Sequence, residues 1–318
     1  MKLMVHFDRP EVFLDVITAR LPRLRIECCR DNAGLAAALA RFRPELFFVI
    51  KFDRTEPYPR DTVLACPTIR WITIGGTGVD HLRPWDPGRI TVTNSVGVGA
   101  RAIGQYALGA MLAITYRFPR FIRSPERLDW STERVGIIDG QTVVVVGLGH
   151  SGKEVARLAG GLGMKVVGVK AHPGPVPGVE RVYGPDRLHE ALSRGDFVVV
   201  ATPLTDRTHH MIDRDAFAAM KPGVGIVDVS RGGVIDSAAL AEALGSGHVG
   251  GAVLDVHEEE PLPLDSPIRG FENAIVTPHC SGAFVGWERA SAAMFCDNVE
   301  RHLRGEPLER VVDPTTGY

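Results

Sequence analysis

Three polar residues in the second half of the chain have side chains suited to acid–base work on a carboxylic acid. Arg231 stands in DVSRGGVID, Glu260 in LDVHEEEP and His279 in TPHCSG. An arginine offers a planar fork that matches a carboxylate and polarises an adjacent carbonyl. A histidine exchanges a proton near neutral pH. A carboxylate beside that histidine fixes its orientation and raises its pKa, so that it stays a proton donor. This chemistry needs three distant segments to end at one place.

The elements around them have that property. From Gln141 onward, short β-branched runs recur: TVVVVG (142–147), KVVGV (165–169), FVVV (197–200), GIVDV (225–229), GAVLDV (251–256) and NAIVTP (273–278). Alanine- and leucine-rich stretches of helical spacing lie between them, among them DSAALAEALGSG, which starts on Asp236 as a cap. Continuous apolar strands alternating with helices predict a parallel sheet covered on both faces. Arg231, Glu260 and His279 then fall where later strands end, the edge at which such sheets bind ligands. The first hundred residues repeat the theme with LMVHF (3–7), LRIEC (24–28), ELFFVI (45–50), RWITIG (70–75) and ITVTN (90–94), plus a helix over 32–42 capped by Asp31. A long apolar helix is expected over 100–118. A second, over about 283–304, should cross back to the first half.

Residues 147–152, GLGHSG, fit G-x-G-x-x-G between a predicted strand and a predicted helix. Gly147 permits a tight turn, Gly149 lets the backbone approach a pyrophosphate, and Gly152 allows close helix–strand packing. The N–H groups of His150 and Ser151 would face the phosphates. A structural turn without a ligand is the other reading. In this context the domain is predicted to be a Rossmann cofactor domain. About 20 residues on, at the end of the second strand, such domains place an acidic residue on the adenosine ribose of NAD. Here that residue is Lys170, in GVKAHPG. An ammonium favours a 2′-phosphate that a carboxylate would repel, so NADP(H) is the expected cofactor, with NAD(H) possible and His172 assisting when protonated. The alternative for Lys170 is a solvated surface charge. An arginine, a histidine and a carboxylate beside a nicotinamide describe hydride transfer to a 2-oxo acid.

The chain resembles the D-isomer-specific 2-hydroxyacid dehydrogenase family over nearly its whole length. The segments VVGLGHSG, ATPLTDRTHHMI, DVSRGGVID, GAVLDVHEEEPLP and NAIVTPH carry the likeness, in the family's order and spacing. The resemblance implies that Arg231 binds and polarises substrate, that Glu260 pairs with His279, and that His279 donates the proton. It implies that Asp255 bonds the nicotinamide amide, and that Thr202, Pro203 and Val229 border the cofactor, as does His279. IGGTGVDHL (74–82) is similar to the family's substrate loop, which puts the substrate carboxylate on the N–H groups of Thr77 and Gly78. The rest of the pocket is expected on loops 50–58, 74–80 and 280–287. The implied architecture is a Rossmann cofactor domain, residues 97–284, inserted into a smaller flavodoxin-like α/β substrate domain, residues 1–96 plus 285–318. A homodimer through the cofactor domains, using the region of helix 100–118, is implied too. Trp130 is either a packing residue or an aromatic reaching the partner's cleft.

Departures narrow the activity. Formate dehydrogenases of the superfamily carry glutamine where Glu260 stands. Lys170 departs from the NAD-type acid, and the compact small domain is similar to glyoxylate/hydroxypyruvate reductases. Two other readings stay open: an NAD-dependent D-2-hydroxyacid dehydrogenase, and an NAD(H)-sensing protein like the C-terminal-binding corepressors, which share the fold.

Composition excludes other classes. A 318-residue chain with 36 basic and 38 acidic residues, net charge −2, carries no broad footprint for nucleic acid. No apolar run approaches the ~20 residues of a membrane span, and MKLMVHFDRP meets charge too early for a signal peptide. The five cysteines lack C-x-x-C spacing, and a cytoplasmic protein with reduced thiols is expected. No metal is expected: the adjacent His209 and His210 point poorly at one ion, and the chemistry needs none.

Overall fold

The computed structural model describes residues 1–50, 57–123, 125–127, 129–130, 132 and 134–314, and divides the chain into two units. The first unit is Met1–Val98 with Val285–Tyr318, and the second is Gly99–Phe284.

Among the described residues of the first unit, β1 (Lys2–His6), β2 (Arg25–Cys29), β3 (Leu46–Val49), β4 (Trp71–Ile74) and β5 (Thr91–Asn94) form a parallel sheet. Its order, β2-β1-β3-β4-β5, is flavodoxin-like. Residues 46–49 and 71–74 are buried at every position, as strands covered on both faces must be. The helices are α1 (Leu14–Arg20), α2 (Leu35–Phe42) and α3 (Arg60–Ala65). The helix expected over 32–42 thus begins three residues later. Asp31 does not cap it: its Oδ1 accepts the N–H of Gly34 at 2.7 Å, closing a separate turn ahead of the helix.

The second unit opens with α4 (Ala100–Thr115) and α5 (Phe118–Arg123). One continuous helix over 100–118 is not formed. Arg117 adopts a left-handed φ of 56°, which ends the run and restarts it in a new direction. Next come β6 (Thr142–Val146), α6 (His150–Gly161), β7 (Lys165–Val169), β8 (Arg181–Tyr183), α7 (Leu188–Leu192) and β9 (Phe197–Val200). The unit is completed by α8 (Arg214–Ala219), β10 (Val224–Asp228), α9 (Ser237–Gly245), β11 (Val249–Leu254) and β12 (Ala274–Val276). Asp236 caps α9 through the N–H groups of Ala238 and Ala239.

The strands form one parallel sheet, β12-β11-β10-β9-β6-β7-β8. Val144 and Val146 pack one face, Val143 and Val145 the other, so the valine run of β6 is apolar throughout because both faces are core. The order reverses between β6 and β9, the switch point at which doubly wound sheets take their ligands.

The last helix, α10 (Trp287–Leu303), belongs to the first unit and starts after Gly286, at φ 89°, rather than at 283. It packs on α1, where Arg289 meets Asp15 at 2.7 Å and Arg20 meets Glu300 at 2.8 Å. No helix of the described residues is long and apolar enough to cross a membrane.

Candidate active site

The turn between β6 and α6 is defined by what it excludes. Gly147 sits at φ 101°, and a Cβ there would lie 2.7 Å from Ala201 O and 2.8 Å from Thr202 N. At Gly152 a Cβ would lie 1.9 Å from Gly147 O. At Gly149 it would meet nothing within 4 Å, so the backbone is open on that side. Gly149 is also the N-cap of α6, and no side chain caps that end. The leading N–H groups, His150 and Ser151 among them, are therefore left for a ligand by the helix itself. These features fit a dinucleotide pyrophosphate. The same contacts bring the Thr202-Pro203 turn, which follows β9, against Gly147. Val229 is buried beyond the end of β10, its N–H bonded to Val200 O at 3.0 Å.

Lys170 is the first residue after β7 and is half-buried. Its N–H donates to Tyr183 O at 3.0 Å, so β8, a three-residue strand absent from the sequence reading, holds it in place. His172 is exposed.

The acid–base residues lie past the ends of neighbouring strands on the far side of the switch point. His279 Nδ1 is 3.1 Å from both carboxylate oxygens of Glu260, with both side chains largely shielded (25% and 19% exposed). Glu260 Oε1 also accepts the N–H of His257 at 3.0 Å, which sets the rotation of the carboxylate. The carboxylate orients the imidazole through Nδ1. His279 holds φ 53°, a region that side-chain-bearing residues enter at a cost, and the surroundings explain how it is kept there. Asp255, wholly buried, accepts Thr277 Oγ1 (2.6 Å) and Cys280 N (2.8 Å) at Oδ1, and Ser281 N (2.8 Å) at Oδ2. Burial raises its pKa, but the bonds from Ser281, Thr277 and Cys280 outweigh burial and hold the carboxyl below its ordinary value. Both of its oxygens thus bind the loop that carries His279.

Arg231 follows β10 by three residues. Its Nη1 donates to Ser230 O at 2.8 Å, while Ser230 donates to Asp228 Oδ1 through its N–H (3.0 Å) and its hydroxyl (2.5 Å). Asp228 is buried, and burial pushes its carboxyl up to about 7 against the pull of the two Ser230 bonds. Sequence reasoning missed Ser230 and Thr277. The only local signal was a hydroxyl residue within two positions of Arg231 and of His279.

In the first unit, the loop after β4 is tethered through three successive carbonyls. Gly75 O, Gly76 O and Thr77 O accept bonds from Ser291 Oγ (2.9 Å), Ser95 N (2.9 Å) and Asn94 Nδ2 (2.8 Å). The N–H groups of Thr77 and Gly78 are not used in that tether. Of the expected loop 50–58, residues 51–56 lie outside the described residues.

A cavity of about 380 Å³ lies behind the strand ends, lined by Asp228, His257, Glu258, Glu259 and Asp265 among others. Its carboxylates would repel an acid, and Arg231, Glu260 and His279 do not line it. It is not the site.

The family model described as D-isomer specific 2-hydroxyacid dehydrogenase, NAD binding domain, matches residues 108–281. The chain belongs to the D-isomer specific 2-hydroxyacid dehydrogenase family. It is an NAD(P)-dependent oxidoreductase of that family. D-3-phosphoglycerate dehydrogenase of Methanocaldococcus jannaschii is 35% identical over 263 residues, 80% of this chain and 49% of that protein, so the chain spans about half the length of this relative. (S)-Sulfolactate dehydrogenase of Chromohalobacter salexigens is 34% identical over 295 residues, 88% of each chain. Hydroxypyruvate reductase of Blautia hydrogenotrophica is 31% identical over 274 residues, 82% of this chain and 84% of the relative. The crystal structure of a D-isomer specific 2-hydroxyacid dehydrogenase from Xanthobacter autotrophicus Py2, in complex with NADPH and MES, superposes with a TM-score of 0.86 at 28% identity and covers 99% of both chains.

Proposed function

We propose that this family member is an NADPH-dependent reductase of a small 2-oxo acid, with glyoxylate and hydroxypyruvate as its substrates. The observation that carries the chemistry is the His279–Glu260 pair at 3.1 Å, on a loop held by a buried carboxylate. Residues 97–284 take the cofactor and residues 1–96 with 285–318 take the substrate. Gly147, Gly149, Gly152 and the N–H groups of His150 and Ser151 hold the pyrophosphate. Thr202, Pro203 and Val229 border the nicotinamide half. Asp255, expected to bond the nicotinamide amide, is wholly buried with both oxygens on the 277–281 loop, so it serves the nicotinamide through that loop and not by a direct bond.

The reduced nicotinamide supplies the hydride when bound. Arg231 grips the substrate carboxylate and polarises its carbonyl. His279 gives the proton on Nε2 to the forming alkoxide, and Glu260 favours the imidazolium that can give it.

The cofactor preference rests on Lys170, which stands where an acid would select NAD. One charge-assisted contact of ~1.5–3 kcal/mol gives NADPH at least ~10-fold higher kcat/KM than NADH. Asp in its place should erase the preference. The exposed Tyr116, Phe118, Ile122, Val135, Ile137 and Trp130 (94% exposed) cluster in one segment after α4. Exposed apolar side chains so close in sequence support a homodimer through the region of helix 100–118 and the segment through Trp130. Five free cysteines suit a cytoplasmic location.

A panel of glyoxylate, hydroxypyruvate and other 2-oxo acids with each cofactor tests the reading. D-3-phosphoglycerate and (S)-sulfolactate with NADP⁺ and NAD⁺ extend it to the oxidative direction. Tight cofactor binding without turnover of any compound would sink the reading and leave a nucleotide-sensing protein. Preference for NADH would sink the role given to Lys170.

A further inference from the structure

Tyr106 and Thr277 have no part in the chemistry described so far, yet they meet two residues before His279 in the chain. Tyr106 lies on α4 and Thr277 directly follows β12. The Tyr106 hydroxyl is 2.6 Å from Thr277 Oγ1, and Thr277 Oγ1 is 2.6 Å from Asp255 Oδ1. The direction of these bonds follows from the acceptor at the end. A carboxylate only accepts, so Thr277 gives its hydrogen to Asp255 and must accept from Tyr106. Asp255 in turn takes the N–H groups of Cys280 and Ser281, the two residues immediately after His279. Thr277 lies two residues before His279. The strained residue is therefore held from both sides by one buried anion.

We propose that Tyr106 is a positioning residue: its hydroxyl, through Thr277 and Asp255, locks the 277–281 loop so that His279 keeps its left-handed backbone and its contact with Glu260. This rests on the reading of His279 as proton donor.

Each link has a physical reason. Donation from Tyr106 orders the Thr277 hydroxyl and polarises it toward Asp255, as successive hydrogen bonds do in a low-dielectric interior. A better satisfied Asp255 stays ionised and keeps its hold on the two N–H groups. Burial drives the Tyr106 hydroxyl far above its ordinary range, with Asp255, Cys280 and Asp228 as the acidic groups around it, so it stays a donor at every working pH. The groups facing His279 include the Glu260 carboxylate and His257, whose own pKa is lowered by burial. Loosening the loop lets His279 drift from Glu260 while these neighbours stay in place.

The test reads the imidazole itself. In the cofactor-free protein, the His279 ring is titrated by NMR in wild type, Tyr106→Phe, Thr277→Val and Thr277→Ser. The expected result is a midpoint lower by about half a pH unit in Tyr106→Phe and Thr277→Val, with kcat reduced ~3–10-fold, the worth of one net hydrogen bond. Thr277→Ser keeps the hydroxyl and should restore both. The Tyr106→Phe and Thr277→Val effects should not add, since they cut one chain. A Tyr106→Phe protein with the wild-type midpoint and kcat overturns the relay. If Thr277→Val does not fold, Tyr106→Phe alone decides, because it removes one atom from the far end. Failure of the parent reading looks different: His279→Ala would keep its turnover whatever the midpoints show.

Discussion

Asp228 and Asp255 occupy matching places on neighbouring strands, and they behave in opposite ways. Asp228 ends β10 in the run VDVS, and Asp255 follows β11 in LDVH, with the N–H of Asp255 bonded to Asp228 O at 3.0 Å. Both carboxyls are buried. Asp255 gathers donors from three residues on two oxygens and is held below its ordinary pKa, whereas Asp228 gathers two donors from one residue on a single oxygen and is pushed up to about 7. Asp228 is the more deeply desolvated and also faces the Asp255 charge, while Asp255 has donors spread over both oxygens, so burial, donors and the neighbouring charge together decide which one stays ionised. Each supports one candidate catalytic group, Asp255 the loop of His279 and Asp228 the turn of Arg231. The first support is a fixed charge, and the second titrates near neutrality.

The comparison breaks most visibly at His279. His279→Ala should lower kcat by ~10²-fold or more in steady-state assays, the worth of a placed general acid. Residual activity near wild type would mean that the Asp255 cage holds nothing catalytic.

Asp255→Asn should come next. One amide NH₂ would then face a backbone N–H, leaving a buried pair unsatisfied at a cost of ~1–3 kcal/mol. A Tm lower by several degrees and a kcat lower by roughly 10-fold are expected. The acid side sharpens it: Asp255 stabilises the fold above its unfolded pKa of 3.8, and that stability is lost as pH falls through the lower folded value. A variant as stable and active as wild type at pH 7 would show the cage to be incidental.

Glu260→Gln keeps the shape of the pair and removes its charge. The alkaline limb of the pH–rate profile should move to lower pH, since the imidazolium loses its counter-charge. An unmoved limb would point to another partner for His279.

Asp228→Asn should do least to turnover, with kcat/KM within about threefold, because the Asn oxygen can take both Ser230 donors. Its effect belongs to stability. A carboxyl raised from 3.8 to about 7 stabilises the protonated form of the fold, and that contribution is lost as pH climbs toward 7. The Tm difference between variant and wild type should therefore grow in the variant's favour from pH 4 to 7 and then level off. A difference independent of pH would remove the contrast between the two aspartates.

The amino-acid order by itself determined what depends on near neighbours. Valine runs predict buried strands because each residue must pack on both faces. The glycine at 152 is required because a Cβ would strike Gly147 O at 1.9 Å, a steric fact within one strand–turn–helix unit, whereas the 2.7 Å clash at Gly147 is with Ala201 O beyond β9 and belongs to the assembled sheet. Arg231, Glu260 and His279 were legible as residue types at strand ends. Boundaries set by one backbone angle were not legible, which is why the helix expected over 100–118 stops at Thr115 and α10 starts after Gly286. The short strand that anchors Lys170 was hidden because three residues carry no period. Only the tertiary structure decided that Asp255 binds residues 22 to 26 positions away, and that Tyr106 closes on Thr277 across 171. Such bonds join segments that meet only once the sheet is assembled, and no local spacing encodes them.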